Sequence, residues 1–174
     1  MVRKILKYPD PVLRKKSEPV DFVDEEVKAL LTDLVDTMRS VGGVGLAAPQ
    51  IGVNRRVIVI EIPEDETEDG KPRLIKLVNP EVVSTRGTVK FEEGCLSIPG
   101  IRTYVKRNEE VVVKGLDEEG KETRIEATGL LAIALQHEID HLDGVLFIDR
   151  VSSLKREFLL KRYRKQMLAK EQAL

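Results

Sequence analysis

The stretch TGLLAIALQHEIDHLDG, residues 128–144, decides the fold. Its positions 130–135 are apolar on every side, which predicts a buried helix rather than a surface one. Thr128 is the expected N-cap, and Gly144 follows the predicted end. The polar end carries the only two histidines of the chain, His137 and His141. Burying these imidazoles is costly unless something pairs with them.

The spacing within HEIDH indicates a metal site. Residues four apart lie one turn apart on the same helix face, so both imidazoles can reach one ion. Glu138 lies about 100° further round the helix, within reach of water at that ion. Catalytic zinc sites commonly have three protein ligands. The residues alone leave the third ligand open between a downstream carboxylate and an upstream thiol: Asp143, Asp149, Glu157 or Cys95.

The rest of the chain predicts an α+β fold. An amphipathic helix over residues 24–40 precedes strands at 56–61, 73–83 (broken by Pro80), 87–94, 103–107, 109–117 and 121–127. We expect mixed or antiparallel sheets around the HExxH helix, with an exposed acidic loop at 63–72. Residues 1–151 then form a single catalytic domain. Residues 152–174 form a basic, amphipathic C-terminal helix on the same domain.

Composition narrows the class of protein. The chain has 174 residues, 41% of them hydrophobic, which argues against disorder. No apolar run reaches the length of a membrane span, the start lacks the apolar core of a secretory signal, and one cysteine excludes an internal disulfide. We therefore expect a cytoplasmic protein with no membrane or DNA partner.

Three segments carry a family resemblance. GVGLAAPQ (residues 43–50), EGCLS (93–97) and HEIDH (137–141) resemble, in this order, the three motifs of the peptide deformylases. The resemblance covers nearly the whole chain up to about Val151. It implies hydrolytic removal of the formyl group from N-formyl-Met at the start of new polypeptides. It also implies that Cys95, His137 and His141 bind one divalent ion, usually Fe²⁺, with Zn²⁺, Ni²⁺ or Co²⁺ able to substitute.

The resemblance and the residue chemistry assign further roles. Glu138 is expected to accept and return a proton, while the Gln50 amide and the Leu96 N–H stabilise the oxyanion. Segment 43–46 (Gly43, Gly45 and Leu46) is expected to bind an extended peptide as an added strand. One face of the HExxH helix provides candidates for a methionine pocket: Leu130, Ile133 and Ala134. Arg102 could hold either Glu93 or the peptide backbone.

The tail predicts a partner. Residues 152–174 hold seven basic and two acidic side chains, a net charge of +5, against −6 for the rest. Such a segment favours phosphate-rich surfaces, and in some bacterial deformylases a C-terminal helix docks on the ribosome. We therefore expect ribosome binding, and expect deletion after Val151 to spare turnover of short peptides. Two alternatives remain, an endopeptidase with Glu157 as third ligand and a non-catalytic metal- or ribosome-binding protein.

Overall fold

A computed structural model describes residues 1–173 as an α+β fold, as the sequence predicted. The helices are α1 (Glu25–Ser40), α2 (Gly129–Leu142) and α3 (Ser153–Gln172). The strands are β1 (Gly45–Ala47), β2 (Val57–Ile62), β3 (Arg73–Arg86), β4 (Val89–Cys95), β5 (Ile98–Arg107), β6 (Glu110–Leu116) and β7 (Glu122–Ala127). Within residues 1–173, no helix combines the length and apolar character needed to cross a membrane.

A five-stranded antiparallel sheet separates the first two helices. Its strand order is β1-β2-β3-β6-β7. Side chains of β2 alternate: Val57 and Val59 join the core under α1, whereas Ile58 and Ile60 join the core under α2. Because both faces are covered, this strand is apolar almost throughout, and α2 is buried as its composition predicted.

Strand β3 departs from the sequence prediction. Pro80 was expected to break the strand at this point, yet β3 continues to Arg86. Its register with β6 shifts between Val78 and Glu81, so an irregularity in the ladder accommodates the proline. Asn79 adopts a left-handed conformation there, with φ of 51°. A proline at a bulge needs no ladder hydrogen bond, which explains the continuous strand.

A separate hairpin, β4–β5, forms a third core with α3. Leu159 and Tyr163 are buried in this core, and Cys95 packs against it. The Tyr163 hydroxyl also donates a hydrogen bond to the Tyr8 carbonyl, 2.9 Å away. Deleting α3 would therefore expose the apolar surface beside Cys95. We no longer expect truncation after Val151 to leave short-peptide turnover untouched.

Candidate metal centre and its cleft

Helix α2 and the end of β4 bring one sulfur and two nitrogen donor atoms together. One ligand atom each from Cys95, His137 and His141 lies within 4.8 Å of the other two. The Cys95 Sγ lies 3.3 Å from His141 Nε2. His137 directs Nδ1 at Glu93 Oε1, 2.9 Å away, which leaves its Nε2 for another partner. The cluster therefore has the arrangement of a three-ligand metal centre.

The other candidate third ligands lie elsewhere. Asp143 pairs with Arg56 at 3.0 Å. Asp149 pairs with Arg14 and accepts a hydrogen bond from the Leu146 N–H. Glu157 lies exposed on α3. Among the residues that the structure describes, Cys95 is the only one of the four that joins the histidines.

The donor set fits a divalent transition metal. A thiolate and imidazoles suit zinc, iron, cobalt or nickel better than calcium or magnesium. Burial lowers the pKa of His141 well below its ordinary value, which favours the neutral, ligating imidazole. Burial acts in the same direction on His137, but the neighbouring Glu138 carboxylate and the hydrogen bonds with Cys95 and Glu93 outweigh it and raise that pKa. A cation at this point would replace the proton on His137.

Glu138 faces the same space. Burial raises its pKa to about 7. Its Oε1 is buried and has no hydrogen-bond partner within residues 1–173. A Cβ at Gly45 would lie 2.5 Å from Glu138 Oε2. Gly45 therefore makes room for the carboxylate itself, a role that the sequence analysis did not predict.

The two expected oxyanion donors lie next to Cys95. Gln50 is buried, with Oε1 accepting from the Ala47 N–H at 2.9 Å and Nε2 donating to Ser97 Oγ at 3.1 Å. The same Nε2 lies 3.7 Å from Cys95 Sγ. These contacts hold the Gln50 amide with its N–H groups towards the metal cluster. Leu96 follows Cys95 directly, so its backbone is at the cluster too.

A cleft of about 560 Å³ opens beside these groups. Its wall includes five of the six residues expected to bind substrate, namely Gly43, Gly45, Leu130, Ile133 and Ala134. The sixth, Leu46, lies elsewhere: strand alternation places its fully buried side chain in the core under α1. Leu46 is therefore not part of the cleft wall.

A buried ion network supports His137, and sequence reasoning missed its main residue. Arg107 donates two hydrogen bonds to Glu93, at 2.7 and 2.8 Å, and a third to Asp140 at 2.7 Å. Burial alone would raise the pKa of Glu93, but the bonds from Arg107 and His137 hold it below its usual range. Glu93 is thus a charged acceptor for the His137 ring. Arg102, for which the sequence left Glu93 and the peptide backbone open as partners, pairs with Glu92.

The comparisons with known proteins agree with this geometry. The family model described as polypeptide deformylase matches residues 2–157. A peptide deformylase from Thermodesulfovibrio yellowstonii is 50% identical over 94% of this chain and 97% of its own length. A peptide deformylase from Thermomicrobium roseum is 53% identical over 86% of both chains.

Solved structures agree as well. A crystal structure of a peptide deformylase from Legionella pneumophila superposes with a TM-score of 0.89, at 47% identity and 98% coverage of both chains. The Ehrlichia chaffeensis peptide deformylase in complex with actinonin gives 0.88, at 40% identity over 95% of this chain and 97% of that one. The chain therefore belongs to the polypeptide deformylase family, metal-dependent hydrolases that deformylate N-formyl-Met peptides.

Proposed function

We propose that Cys95, His137 and His141 hold the single divalent ion with which this chain removes formyl groups from N-formyl-Met polypeptides. The observation that carries the proposal is the convergence of these three donors, within 4.8 Å, beside a buried glutamate at a cleft. When bound, the ion supplies Lewis acidity and lowers the pKa of water. We assign Fe²⁺ as the ion in the cell, with Zn²⁺, Ni²⁺ or Co²⁺ as working substitutes.

Glu138 is proposed to transfer a proton from the attacking water to the leaving amine. Glu138 lines the same cleft as Cys95 and His137, and its Oε1 has no hydrogen-bond partner within residues 1–173, so it can accept a proton from the attacking water. The same carboxyl can then deliver that proton to the leaving amine of methionine. The methylene chain of Glu138 provides the reach from its position on α2, and Gly45 leaves the space that the carboxylate needs.

Gln50 and Leu96 are proposed to stabilise the oxyanion. The Gln50 Nε2 is fixed by two hydrogen bonds of its side chain, so little reorganisation is needed when charge develops on the formyl oxygen. The Leu96 N–H is the second donor. Removing one such donor commonly lowers turnover by about 10²–10³-fold.

The cleft wall is proposed to bind the substrate. Leu130, Ile133 and Ala134 offer apolar surface for the methionine side chain. β1, which begins at Gly45, is the edge strand of the sheet, so the peptide backbone can pair with its free side and with residues 43–44 that lead into it. A Cβ at Gly43 would lie 2.9 Å from Leu96 Cδ1, so a side chain at position 43 would narrow the cleft.

Formate release tests the assignment of the site. Protein prepared without oxygen should release formate from a formyl-Met tripeptide and leave the acetyl-Met tripeptide intact. Glu138→Gln should lose at least 10²-fold in kcat, because proton transfer by a positioned group contributes about that much. Glu157→Gln is the matched control, since Glu157 is exposed on α3 and should leave turnover unchanged. Equal activity of both variants would remove Glu138 from the mechanism.

The identity of the ion has its own test. Ferrous iron beside an accessible thiolate oxidises readily, whereas zinc and nickel do not undergo this change under the same conditions. Iron-loaded protein should therefore lose activity in air, while nickel- or zinc-loaded protein should keep it. Equal stability of the three forms in air would argue against an iron–thiolate centre.

The ribosome is the partner proposed for α3, and the cytoplasm is the proposed location. The seven cations of α3 form no ion pair within residues 1–173, and six of the seven are exposed. A solvent-exposed basic face without internal ion pairs can bind the phosphate groups of the ribosome. A charge-reversed Lys161/Arg164/Lys165→Glu variant should sediment less with ribosomes, most clearly at low salt. Lys28→Glu is the control on α1, and equal sedimentation of both variants would contradict the assignment.

A further inference from the structure

The N-terminal segment Leu6–Tyr8 contacts both segments that carry the proposed oxyanion donors. The Leu6 N–H donates to the Gln50 carbonyl at 2.7 Å, and the Tyr8 N–H donates to the Ser97 carbonyl at 2.8 Å. Between them, the Lys7 Nζ donates to the Leu96 carbonyl at 2.9 Å. Three consecutive residues therefore connect the Gln50 loop with the loop that follows Cys95.

Lys7 differs from its two neighbours because its contact depends on the side chain. Almost any residue could supply the N–H groups of positions 6 and 8. Only a long cationic or polar side chain can reach the Leu96 carbonyl from position 7. A hydrogen bond from an ammonium is also stronger than one between neutral groups. The contact with Leu96 is thus the one that the amino-acid identity at position 7 determines.

The ammonium of Lys7 has no carboxylate partner within 4 Å among residues 1–173, unlike Arg102 in the same cleft wall. Partial burial lowers its pKa, with a smaller opposing contribution from the nearby Cys95. The residue as a whole is exposed, yet its ammonium contacts the protein rather than water alone. The Leu96 carbonyl is its one protein partner in the described part of the chain.

We propose that Lys7 is a positioning residue for the deformylation reaction, holding the Leu96 backbone so that its N–H stays directed at the formyl oxygen. The proposal rests on the oxyanion role proposed above for Leu96. Ligation of the ion would fix Cys95, the residue before Leu96. Hydrogen bonds from Lys7 and Tyr8 fix the carbonyls of residues 96 and 97. Leu96 is then restrained on both sides, and small displacements at a reacting centre can cost large factors in rate.

Three variants test this role against the formyl-Met tripeptide. Lys7→Met removes the donor and keeps the aliphatic stem. Lys7→Arg restores a cationic donor of similar reach. Lys4→Met is the matched control, because Lys4 lies just before this segment, is exposed, and has no side-chain hydrogen bond or ion pair within residues 1–173. Each protein is assayed with saturated metal, and its melting temperature and metal content are measured alongside kcat and KM.

We expect Lys7→Met to lower kcat about tenfold, less than the ~10²–10³-fold for full loss of an oxyanion donor, with KM changed less than twofold. Lys7→Arg should recover kcat to within threefold of wild type, and Lys4→Met should match wild type. An unchanged kcat in Lys7→Met would overturn the proposal. A higher KM at unchanged kcat would overturn it too, because Lys7 would then bind substrate directly. Failure of wild-type protein to release formate would overturn the proposed function first, and the role of Lys7 with it.

Discussion

The β4–β5 hairpin contains two arginine–glutamate pairs that lie one residue apart on β4 and differ in burial. Glu93 and Arg107 have side chains 4% and 3% exposed. Glu92 and Arg102 have side chains 47% and 62% exposed. Glu93 of the inner pair contacts the His137 ring, whereas Glu92 and Arg102 of the outer pair form an exposed part of the cleft wall.

The two pairs consist of the same residue types and differ in their exposure to solvent. An exposed ion pair competes with water and salt, and is worth about 0–1 kcal/mol. A buried pair has already lost its water, so removing one partner leaves an uncompensated charge that costs about 3–5 kcal/mol. The same two residue types therefore determine stability on the inner face of the hairpin and contribute little on the outer face.

Removing the inner arginine should give the largest effect. Arg107→Met leaves Glu93 without its buried cation and Asp140 with only the half-exposed Arg150, and we expect the free energy of unfolding to fall by about 3–5 kcal/mol. Urea denaturation of metal-free protein measures this. Arg107→Lys provides a milder second variant, because it keeps the charge but loses the two-pronged contact with Glu93. A loss below about 1 kcal/mol in both variants would contradict the comparison.

Removing the negative charge of Glu93 should weaken metal binding. In Glu93→Gln the amide oxygen can still accept from His137 Nδ1, but it no longer carries the charge that strengthens the imidazole as a ligand. We expect metal affinity to fall about 10–100-fold, measured by competition with a chelator of known affinity. Glu92→Gln is the matched control on the same strand and should bind the ion as wild type does. Equal affinities in the two variants would separate Glu93 from the metal centre.

Removing the outer arginine should have a much smaller effect. Arg102→Met breaks the contact of Arg102 Nε with Glu92, a pair in which both side chains remain in water. We expect a change in the free energy of unfolding of less than about 1 kcal/mol, shrinking further in high salt. The measurement is urea denaturation at two ionic strengths. A loss comparable to that of Arg107→Met would show that burial is not what separates the pairs.

The part of the candidate site that lies on α2 was predictable because it depends on local spacing, whereas Cys95, Gln50 and Leu96 were assigned from the family resemblance. The i, i+4 histidines, the intervening glutamate and the fully apolar turns before them predicted α2 and its polar end. The core of the sheet followed from apolar runs such as residues 56–61. These features need only the periodicity of a helix or a strand.

The alternation of side chains along β5 determines which arginine pairs with Glu93. Along β5, Ile101, Thr103, Val105 and Arg107 are buried, while the residues between them are exposed. Arg107 shares the parity of Ile101 and Val105, and Arg102 does not. The alternation of apolar residues could have identified Arg107 as the inner arginine, but the sequence analysis considered only Arg102 and left its partner open. Parity also explains Leu46, which points away from the cleft, opposite to its neighbour Ala47.

The contacts of Gly45 and Lys7 could not be predicted from the sequence, because they join residues far apart in the chain. Gly45 leaves space for a side chain 93 residues away, and Lys7 binds a carbonyl 89 residues away. Neither contact follows from any local period. Both depend on how the edge strand, the hairpin and the N-terminal segment are placed around α2. That placement is determined by the packing of all three hydrophobic cores together.

The smallest expected effect concerns pH and a further exposed pair, Arg39 and Glu61, whose side chains are 54% and 23% exposed. The hydrogen bond from Arg39 lowers the pKa of Glu61 below its ordinary value. A carboxyl with a lowered folded-state pKa stabilises the fold above its unfolded-state pKa of about 4.3, and this contribution is lost as pH falls through the folded-state pKa. Comparing the unfolding free energies of wild type and Glu61→Gln between pH 7 and pH 3 isolates the contribution, since the glutamine does not titrate. We expect the difference between the two proteins to shrink as pH falls across that window. A difference that grows with acidity would mean that burial, rather than Arg39, determines the pKa of Glu61.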